Sequence, residues 1–130
     1  MIKVIAKEVG KPAEIREIEN TYKAIREFIG DDIEFSRHPK FEGMCIISDE
    51  EYLLKDLPAT MLIPENNNVI AGNCLIVADD DGETVSLTDE QAQQALADMQ
   101  GREFCNPTLT VAEAYYAMQE IKRIKKEMQM

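Results

Sequence analysis

The sequence predicts an α+β fold, because strand-like and helix-like patterns follow one another along its 130 residues. Residues 2–6 and 69–78 have the apolar character and length of strands. Capping boxes at Thr88 and Thr110 each begin a helical pattern. We therefore expect one domain, residues 1–130, in which two hairpins and further strands form a mainly antiparallel sheet with three helices.

The first thirty residues predict a hairpin followed by a helix. Strands at residues 2–6 and 15–18 are separated by a Gly-Lys-Pro turn. Asn20 or Thr21 can cap the helix, and Gly30 can end it. Its apolar face is expected to comprise Tyr22, Ile25, Phe28 and Ile29.

The middle of the chain predicts further strands around an irregular segment. Residues 33–35 and 44–47 are the third and fourth strand candidates. Residues 52–68 are expected to be irregular, because prolines and three consecutive asparagines favour turns. Residues 69–78 are expected to form one long strand. An Asp-Gly turn then leads into residues 83–87, which completes a second hairpin.

The last two helices begin at the capping boxes. The second of them is expected at about residues 111–128. Its apolar face changes at Ile121, because Ile121, Ile124 and Met128 lie on a different side of the helix from the preceding apolar stripe. These three residues are candidate contacts in a homo-oligomer.

The charge of the chain is concentrated in its middle section, residues 42–103. The whole chain has a net charge of −11, whereas this section alone has fourteen acids and two bases. Local charge of this kind repels nucleic acid and anionic membranes and attracts basic surfaces. We therefore expect a basic host protein as the partner, with no direct nucleic-acid or membrane binding.

Two short acidic stretches are the candidate partner-binding sites. The candidate residues are Asp49, Glu50, Glu51, Asp79, Asp80, Asp81 and Glu83. These acids also have a local explanation that needs no partner. Asp-Gly favours a hairpin turn, and adjacent acids on an exposed loop are ordinarily just solvated.

The sequence predicts no catalytic, metal or cofactor site. A calcium-binding EF-hand loop with Gly82 at its sixth position would need an acid at position 77 and a glutamate at position 88, where this chain has Val77 and Thr88. His38 is the single histidine, so the sequence does not supply the imidazole ligands of a two-histidine metal site and offers no other imidazole for a serine triad. We expect His38 to lie in a loop without a functional role. No glycine-rich phosphate-binding motif is present.

The three cysteines suggest neither disulfides nor zinc. Cys45 and Cys74 lie in apolar strand candidates and are expected to be buried thiols. Cys105 is a candidate exposed nucleophile, but nucleophilic catalysis needs a base and His38 is the only imidazole available.

Several short segments occur in an order that resembles a family of unknown function, DUF3846, found in bacteriophages and mobile elements. These segments are Ile2–Ile5, residues 15–20 leading into residues 28–34, Leu57-Pro58, Ile70–Gly72 and Leu87–Gln91. The resemblance spans residues 2–97. Family members follow the Leu-Pro pair with asparagine, whereas this chain has Ala59-Thr60. The family has no catalytic motif to transfer, and the resemblance implies a phage or prophage protein.

Together these observations lead to the hypothesis of a nonenzymatic acidic phage protein that acts by protein binding. Small acidic proteins of phages often inhibit host defence systems. By this analogy, the protein would be an anti-defence inhibitor of the anti-CRISPR type, or a mimic of nucleic acid. The alternative is an oligomeric protein that sequesters a small molecule or nucleotide signal (a sponge), with a pocket between the sheet and the last helix or between subunits. An enzyme ranks third. Charge near the N-terminus and the lack of long apolar runs predict a cytoplasmic protein of a bacterial host cell.

Overall fold

An antiparallel sheet of six strands lies at the centre of this computed structural model, which describes residues 1–129; Met130, the last residue of the expected domain, lies outside them. The strands of the described residues are β1 (Ile2–Lys7), β2 (Glu14–Ile18), β3 (Ile33–Arg37), β4 (Met44–Asp49), β5 (Ala59–Ile63), β6 (Asn68–Ala71), β7 (Cys74–Asp80) and β8 (Glu83–Val85). The helices are α1 (Tyr22–Ile29), α2 (Asp89–Gln100) and α3 (Val111–Met128), with a 3-10 turn at Pro64–Asn66.

The central sheet has the strand order β2-β1-β7-β4-β3, and β8 extends the hairpin from β7. Strands β5 and β6 form a separate two-stranded ribbon. Every pairing in both sheets is antiparallel. The architecture confirms the predicted α+β class with three helices.

The two faces of the central sheet are covered by different elements because successive side chains of a strand point to opposite faces. Helix α1 covers one face through Ile25 and Ile29, which pack with Val4, Leu75 and Val77. The other face is covered by α2 and by the ribbon. The residues buried on that side include Ile5, Ile46, Met61, Ile70, Ile76, Ala92, Ala95 and Met99.

The ribbon is itself buried on both faces. While Met61 and Ile70 face the central sheet, Leu62 and Val69 pack against α3 through Met118 and its neighbours. Helix α3 is therefore an outer layer that contacts the ribbon, and it stabilises the ribbon by covering its second apolar face.

The predicted helix boundaries are confirmed. Thr21 accepts a hydrogen bond from the Ala24 N–H, and Gly30 ends α1 in a left-handed conformation with φ 102°. Both predicted capping boxes are present, at Thr88 and at Thr110. Tyr22 differs from the prediction, because 60% of its surface is exposed although it was expected on the apolar face of α1.

Two predictions for the middle of the chain are wrong. The segment 52–68, expected to be irregular, contains strand β5, and the expected long strand 69–78 is divided between two sheets. The division falls at Gly72, whose φ of 79° favours glycine; an added Cβ would also lie 2.9 Å from Leu57 Cδ1, so that the leucine side chain would have to move. Asn73 fixes the turn, because it accepts from the Val9 N–H and donates to the Phe28 carbonyl.

Candidate functional site

The tip of the β7–β8 hairpin displays a group of exposed acids. The chain reverses at Asp81 and Gly82, whose φ angles are 52° and 90°, as a two-residue hairpin turn requires. Asp79, Asp80 and Glu83 flank this turn, and all of these acids are exposed. The predicted second hairpin is confirmed, and its local geometry directs the carboxylates into solvent.

Glu42 joins this group through the neighbouring loop. The Asp79 N–H donates to the Gly43 carbonyl at 2.8 Å, which holds the loop before β4 against the base of the hairpin. Glu42 and Asp79 consequently line one cleft. We call the five exposed acids here the hairpin acidic cluster: Glu42, Asp79, Asp80, Asp81 and Glu83.

The hairpin acidic cluster has no ion-pair partner among residues 1–129. Of the fourteen acids of residues 42–103, five form ion pairs: Asp49, Glu65, Asp89, Asp98 and Glu103. The other nine are exposed and form none within the described chain: Glu42, Glu50, Glu51, Asp56, Asp79, Asp80, Asp81, Glu83 and Glu90. The negative charge of the middle section therefore lies mainly on its surface.

The two bases of the middle section are both used internally. Lys55 donates to Asp31 at 2.5 Å and to Asp49 at 2.8 Å. These hydrogen bonds, that to Asp31 first, raise the pKa of Lys55. Arg102 is 8% exposed and is likewise held by carboxylates. Neither base lies free on the surface to offset the exposed acids.

The structure separates the two acidic stretches that the sequence grouped together. Asp49 and Met44 are at opposite ends of β4, and Met44 pairs with Ala78 beside the hairpin. At about 3.4 Å per residue, the stretch 49–51 lies about 17 Å or more from the hairpin acidic cluster along the sheet. Glu50 and Glu51 are exposed there.

Asp49 does not lie on the exposed loop that the sequence predicts. Its side chain is 4% exposed, accepts the Glu51 N–H at 2.8 Å and pairs with Lys55. A buried carboxylate needs such partners, because an unpaired charge in the interior is costly. The position of Asp49 is explained by the structure of the turn, and Glu50 and Glu51 are the accessible members of this stretch.

The histidine that was expected in a loop without a role is buried. His38 Nδ1 accepts the backbone N–H groups of Lys40 and Phe41, at 3.1 and 3.2 Å. Its Nε2 lies 3.5 Å from Asp98 Oδ2 and makes no hydrogen bond within the described residues. Burial lowers the pKa of His38, with a smaller opposing effect of Asp98. Tertiary packing thus gives this residue a structural role that its sequence context does not indicate.

Arg102 organises the carboxylates next to His38. Its guanidinium binds both oxygens of Glu65, at 2.7 and 2.5 Å, and its Nε donates to Asp98 at 2.6 Å. The hydrogen bonds from Arg102 lower the pKa of Glu65 to about 2. We call Glu65, Asp98, Arg102 and His38 the Arg102 network. The bidentate geometry joins the turn after β5 to the end of α2.

A second buried cation lies beside Cys105. Lys7 has no exposed side-chain surface, and its Nζ donates to the Lys11 carbonyl at 2.5 Å and to Glu103 at 3.1 Å. Cys105 Sγ is 3.6 Å from the same nitrogen and is exposed. The sequence offered no signal for this contact, because ninety-eight positions separate the two residues.

The other two cysteines differ in burial. Cys74 is fully buried, and burial raises its pKa to about 12. Cys45 is only partly buried, which differs from the expectation, and burial raises its pKa as well. Neither thiol is suited to nucleophilic chemistry at neutral pH.

An open cleft of about 660 Å³ lies beside the hairpin acidic cluster, formed by the loop between β3 and β4. Arg37 and Lys40 line it together with Glu42 and Asp79. The cleft therefore presents both signs of charge. The space between the ribbon and α3 is instead filled by Ala114 and Met118, which are at most 1% exposed.

The three candidate oligomer contacts are exposed on α3. Ile121, Ile124 and Met128 are 45%, 47% and 81% exposed, whereas Ala114 and Met118 of the same helix are buried. Among residues 1–129, no three side chains of the His, Cys, Asp and Glu types form a group suited to a metal ion. The described helices also include none with the length and apolar character of a membrane span.

Comparison with known protein families identifies the family of this chain. A family model described as a domain of unknown function, DUF3846, matches residues 2–100, which confirms the predicted resemblance and places α3 beyond the matched region. No curated protein and no solved structure matches the chain.

Proposed function

The chain belongs to the DUF3846 family, and from this premise we propose that it is a nonenzymatic acidic protein that binds a basic partner protein through the hairpin acidic cluster. The partner is a protein with a basic groove that ordinarily holds nucleic acid. Binding of the acidic surface in that groove would exclude the nucleic acid, and the protein would act as an inhibitor or nucleic-acid mimic.

One observation carries this proposal: nine exposed acids of the middle section form no ion pair within residues 1–129, while its two bases, Lys55 and Arg102, are both engaged in ion pairs. Helix capping and turns account for some acids, but they do not require the absence of surface lysine and arginine. A surface rich in acids that have no ion-pair partner favours fast association with a positively charged groove.

We further propose a biological setting in which this inhibition is useful. The family resemblance implies bacteriophages and mobile elements, in which small acidic proteins can inhibit host defence enzymes. In this proposal the protein acts in the cytoplasm of a bacterial host cell and inhibits a nucleic-acid-binding defence enzyme, such as a CRISPR effector. The role is consistent with both the negative surface charge and the setting of the family. This part of the proposal rests on analogy with the setting of the family and not on geometry.

A competition experiment tests the proposal. The full chain is titrated into complexes of fluorescent DNA with each of a panel of CRISPR effectors, at ionic strengths from low to physiological. We expect displacement of DNA from a responsive effector, with an affinity that falls steeply as salt increases, because ions screen charge complementarity. Displacement that is insensitive to salt, or its absence from every effector, would contradict the proposal.

Two matched variants locate the binding surface. One neutralises the hairpin by Asp79→Asn, Asp80→Asn and Asp81→Asn. The other, Glu50→Gln, Glu51→Gln and Asp56→Asn, removes the same charge from exposed residues at the opposite end of β4. We expect the hairpin variant to associate more slowly than the control by an order of magnitude or so. Equal loss in both would show that only the total charge is used.

A second candidate function rests on the cleft beside the hairpin. Its volume falls in the range of small-molecule sites, and Arg37 and Lys40 could hold an anionic ligand such as a cyclic nucleotide. A thermal shift assay with cyclic nucleotides tests this reading, because a ligand that binds only the folded state raises Tm. If excess nucleotide does not raise Tm, the proposal that the protein sequesters a nucleotide signal is rejected.

A further inference from the structure

The C-terminal half of α3 exposes an apolar stripe that the domain itself leaves uncovered. Ile121, Ile124 and Met128 are 45%, 47% and 81% exposed, and Ala117 continues the stripe toward the N-terminus as a partly buried residue. The last hydrogen bond from α3 to the ribbon side of the domain is that of Lys122 Nζ to Asn67. The helix then continues for six further residues.

The spacing of this stripe is that of a coiled-coil seam. Ala117, Ile121, Ile124 and Met128 are separated by four, three and four residues, which places them at successive d, a, d and a positions of a heptad abcdefg. Met118, which packs on the ribbon, occupies an e position, at the border of the seam and outside its a and d positions. Helix α3 therefore packs on its own domain and offers a separate face for another helix.

The charges beside the seam select both the partner and its orientation. Glu120 and Glu127 occupy g positions, and Lys125 occupies the e position. In a parallel pair, a g residue lies beside the e′ residue five positions later in the partner helix, which brings Glu120 to Lys125 of a second copy. In an antiparallel pair g residues face g′ residues, and the glutamates would repel each other.

The ion pairs of the single chain leave these groups available. Arg123 is engaged within the helix by Glu120 Oε2 and Glu127 Oε1, at 2.9 and 2.8 Å. Lys125 has no ion-pair partner anywhere in residues 1–129, and Glu120 uses only one oxygen for Arg123. The surrounding segment, residues 104–130, has three acids and four bases, so that two copies can approach here without the repulsion of the acidic middle section.

We propose that residues 117–128 form a parallel self-association seam, occupied by the same segment of a second copy of this chain. The seam is independent of the hairpin acidic cluster and of the function proposed above. Isoleucine at both a and d positions also suits a three-stranded parallel bundle. An assembly of two or three copies is therefore the expected product, formed through α3 beyond the family-matched region.

Cysteine cross-linking tests the orientation directly. Ile121→Cys and Met128→Cys are introduced separately in a full-length Cys105→Ser background, since Cys105 is exposed. In a parallel assembly identical positions face each other, and both variants form disulfide-linked dimers under mild oxidation. The two positions are about 10 Å apart along the helix, so an antiparallel pair could link at most one of them to itself. A single self-linking position, or linkage only between the two variants when mixed, would overturn the proposal.

Charge exchange tests the proposed ion pair. Light scattering over a concentration series measures the assembly of the wild-type chain, of Glu120→Lys, of Lys125→Glu and of the double exchange. We expect each single change to weaken association on the order of tenfold and the double exchange to restore it. Lys126→Glu, at an exposed f position, is the matched control and leaves assembly unchanged. A wild-type chain that stays monomeric throughout, or a double exchange as weak as the single variants, would reject the seam.

Discussion

The acidic middle section contains two regions that use the same residue types in opposite ways. In the Arg102 network, Glu65 and Asp98 surround one buried guanidinium, and the charges are compensated by hydrogen bonds of 2.5 to 2.7 Å. In the hairpin acidic cluster, five carboxylates share a short surface without a cation in ion-pair contact within the described chain. The number of acids in a sequence therefore does not give the charge that a partner meets. That charge depends on where the few bases are placed.

The difference also separates structural from available groups. A carboxylate that holds a buried arginine is tied to stability, because removal of its partner leaves an uncompensated charge. A carboxylate on the hairpin tip holds no buried cation, and its substitution changes the free energy of unfolding little. The four predictions below test this contrast, beginning with the largest expected effect.

Removal of the central cation should break the buried region. Arg102→Met leaves Glu65 and Asp98 without their partner, and we expect a loss of about 3 kcal/mol in the free energy of unfolding. Urea denaturation measures it. Arg37→Met is the control, because Arg37 is exposed on an edge strand, and its change should stay within about 0.5 kcal/mol. Similar midpoints for both variants would remove the structural role assigned to Arg102.

Acid should weaken the same region through Glu65. The folded-state pKa of Glu65 is about 2, below its ordinary value of 4.5, because Arg102 donates to the carboxylate. The resulting stability is complete above pH 4.5 and is lost as pH falls toward 2. Since 40% of the Glu65 side chain is exposed, we expect a loss of about 1 to 2 kcal/mol after allowance for solvent screening. Glu65→Gln should flatten this part of the stability profile relative to the wild type. An unchanged slope would contradict the prediction.

His38 should add a smaller dependence at higher pH. Burial lowers its folded-state pKa below the ordinary 6.5, so the folded protein favours the neutral imidazole. Its contribution is present above pH 6.5 and decreases as pH falls below that value, because the unfolded chain then binds a proton more readily. Thermal unfolding between pH 7.5 and 5.5 measures the effect. The decrease in Tm should be smaller for His38→Asn, and an identical decrease would assign it to other groups.

Neutralisation of the hairpin should have the least effect on stability. We expect Asp79→Asn, Asp80→Asn and Asp81→Asn together to change the free energy of unfolding by less than about 0.5 kcal/mol, since each side chain is exposed and asparagine accepts the positive φ of position 81. The urea midpoint of the triple variant checks this. A clear loss of stability would show that the hairpin acids are structural. That result would contradict the contrast with the Arg102 network.

Much of the fold follows from short-range patterns. The Thr88 and Thr110 capping boxes, the Gly30 helix end and the Asp81-Gly82 turn were all predictable, because each depends on residues three or four positions apart. The hairpin part of the candidate site was predictable for the same reason. Strand β5 was not, because its proline- and asparagine-rich flanks favour turns while its pairing with β6 depends on burial between the sheet and α3.

The sequence by itself determined the local elements, the concentration of acids in residues 42–103 and the shortage of bases there. Only the tertiary structure decided which acids are free. Lys7 contacts Glu103 across ninety-six positions of sequence, and Arg102 contacts Glu65 across thirty-seven. Asp49 is buried and pairs with Lys55. Turns and caps are fixed by neighbours in the chain, whereas ion pairs and burial depend on which distant segments pack together, and no local pattern encodes that choice.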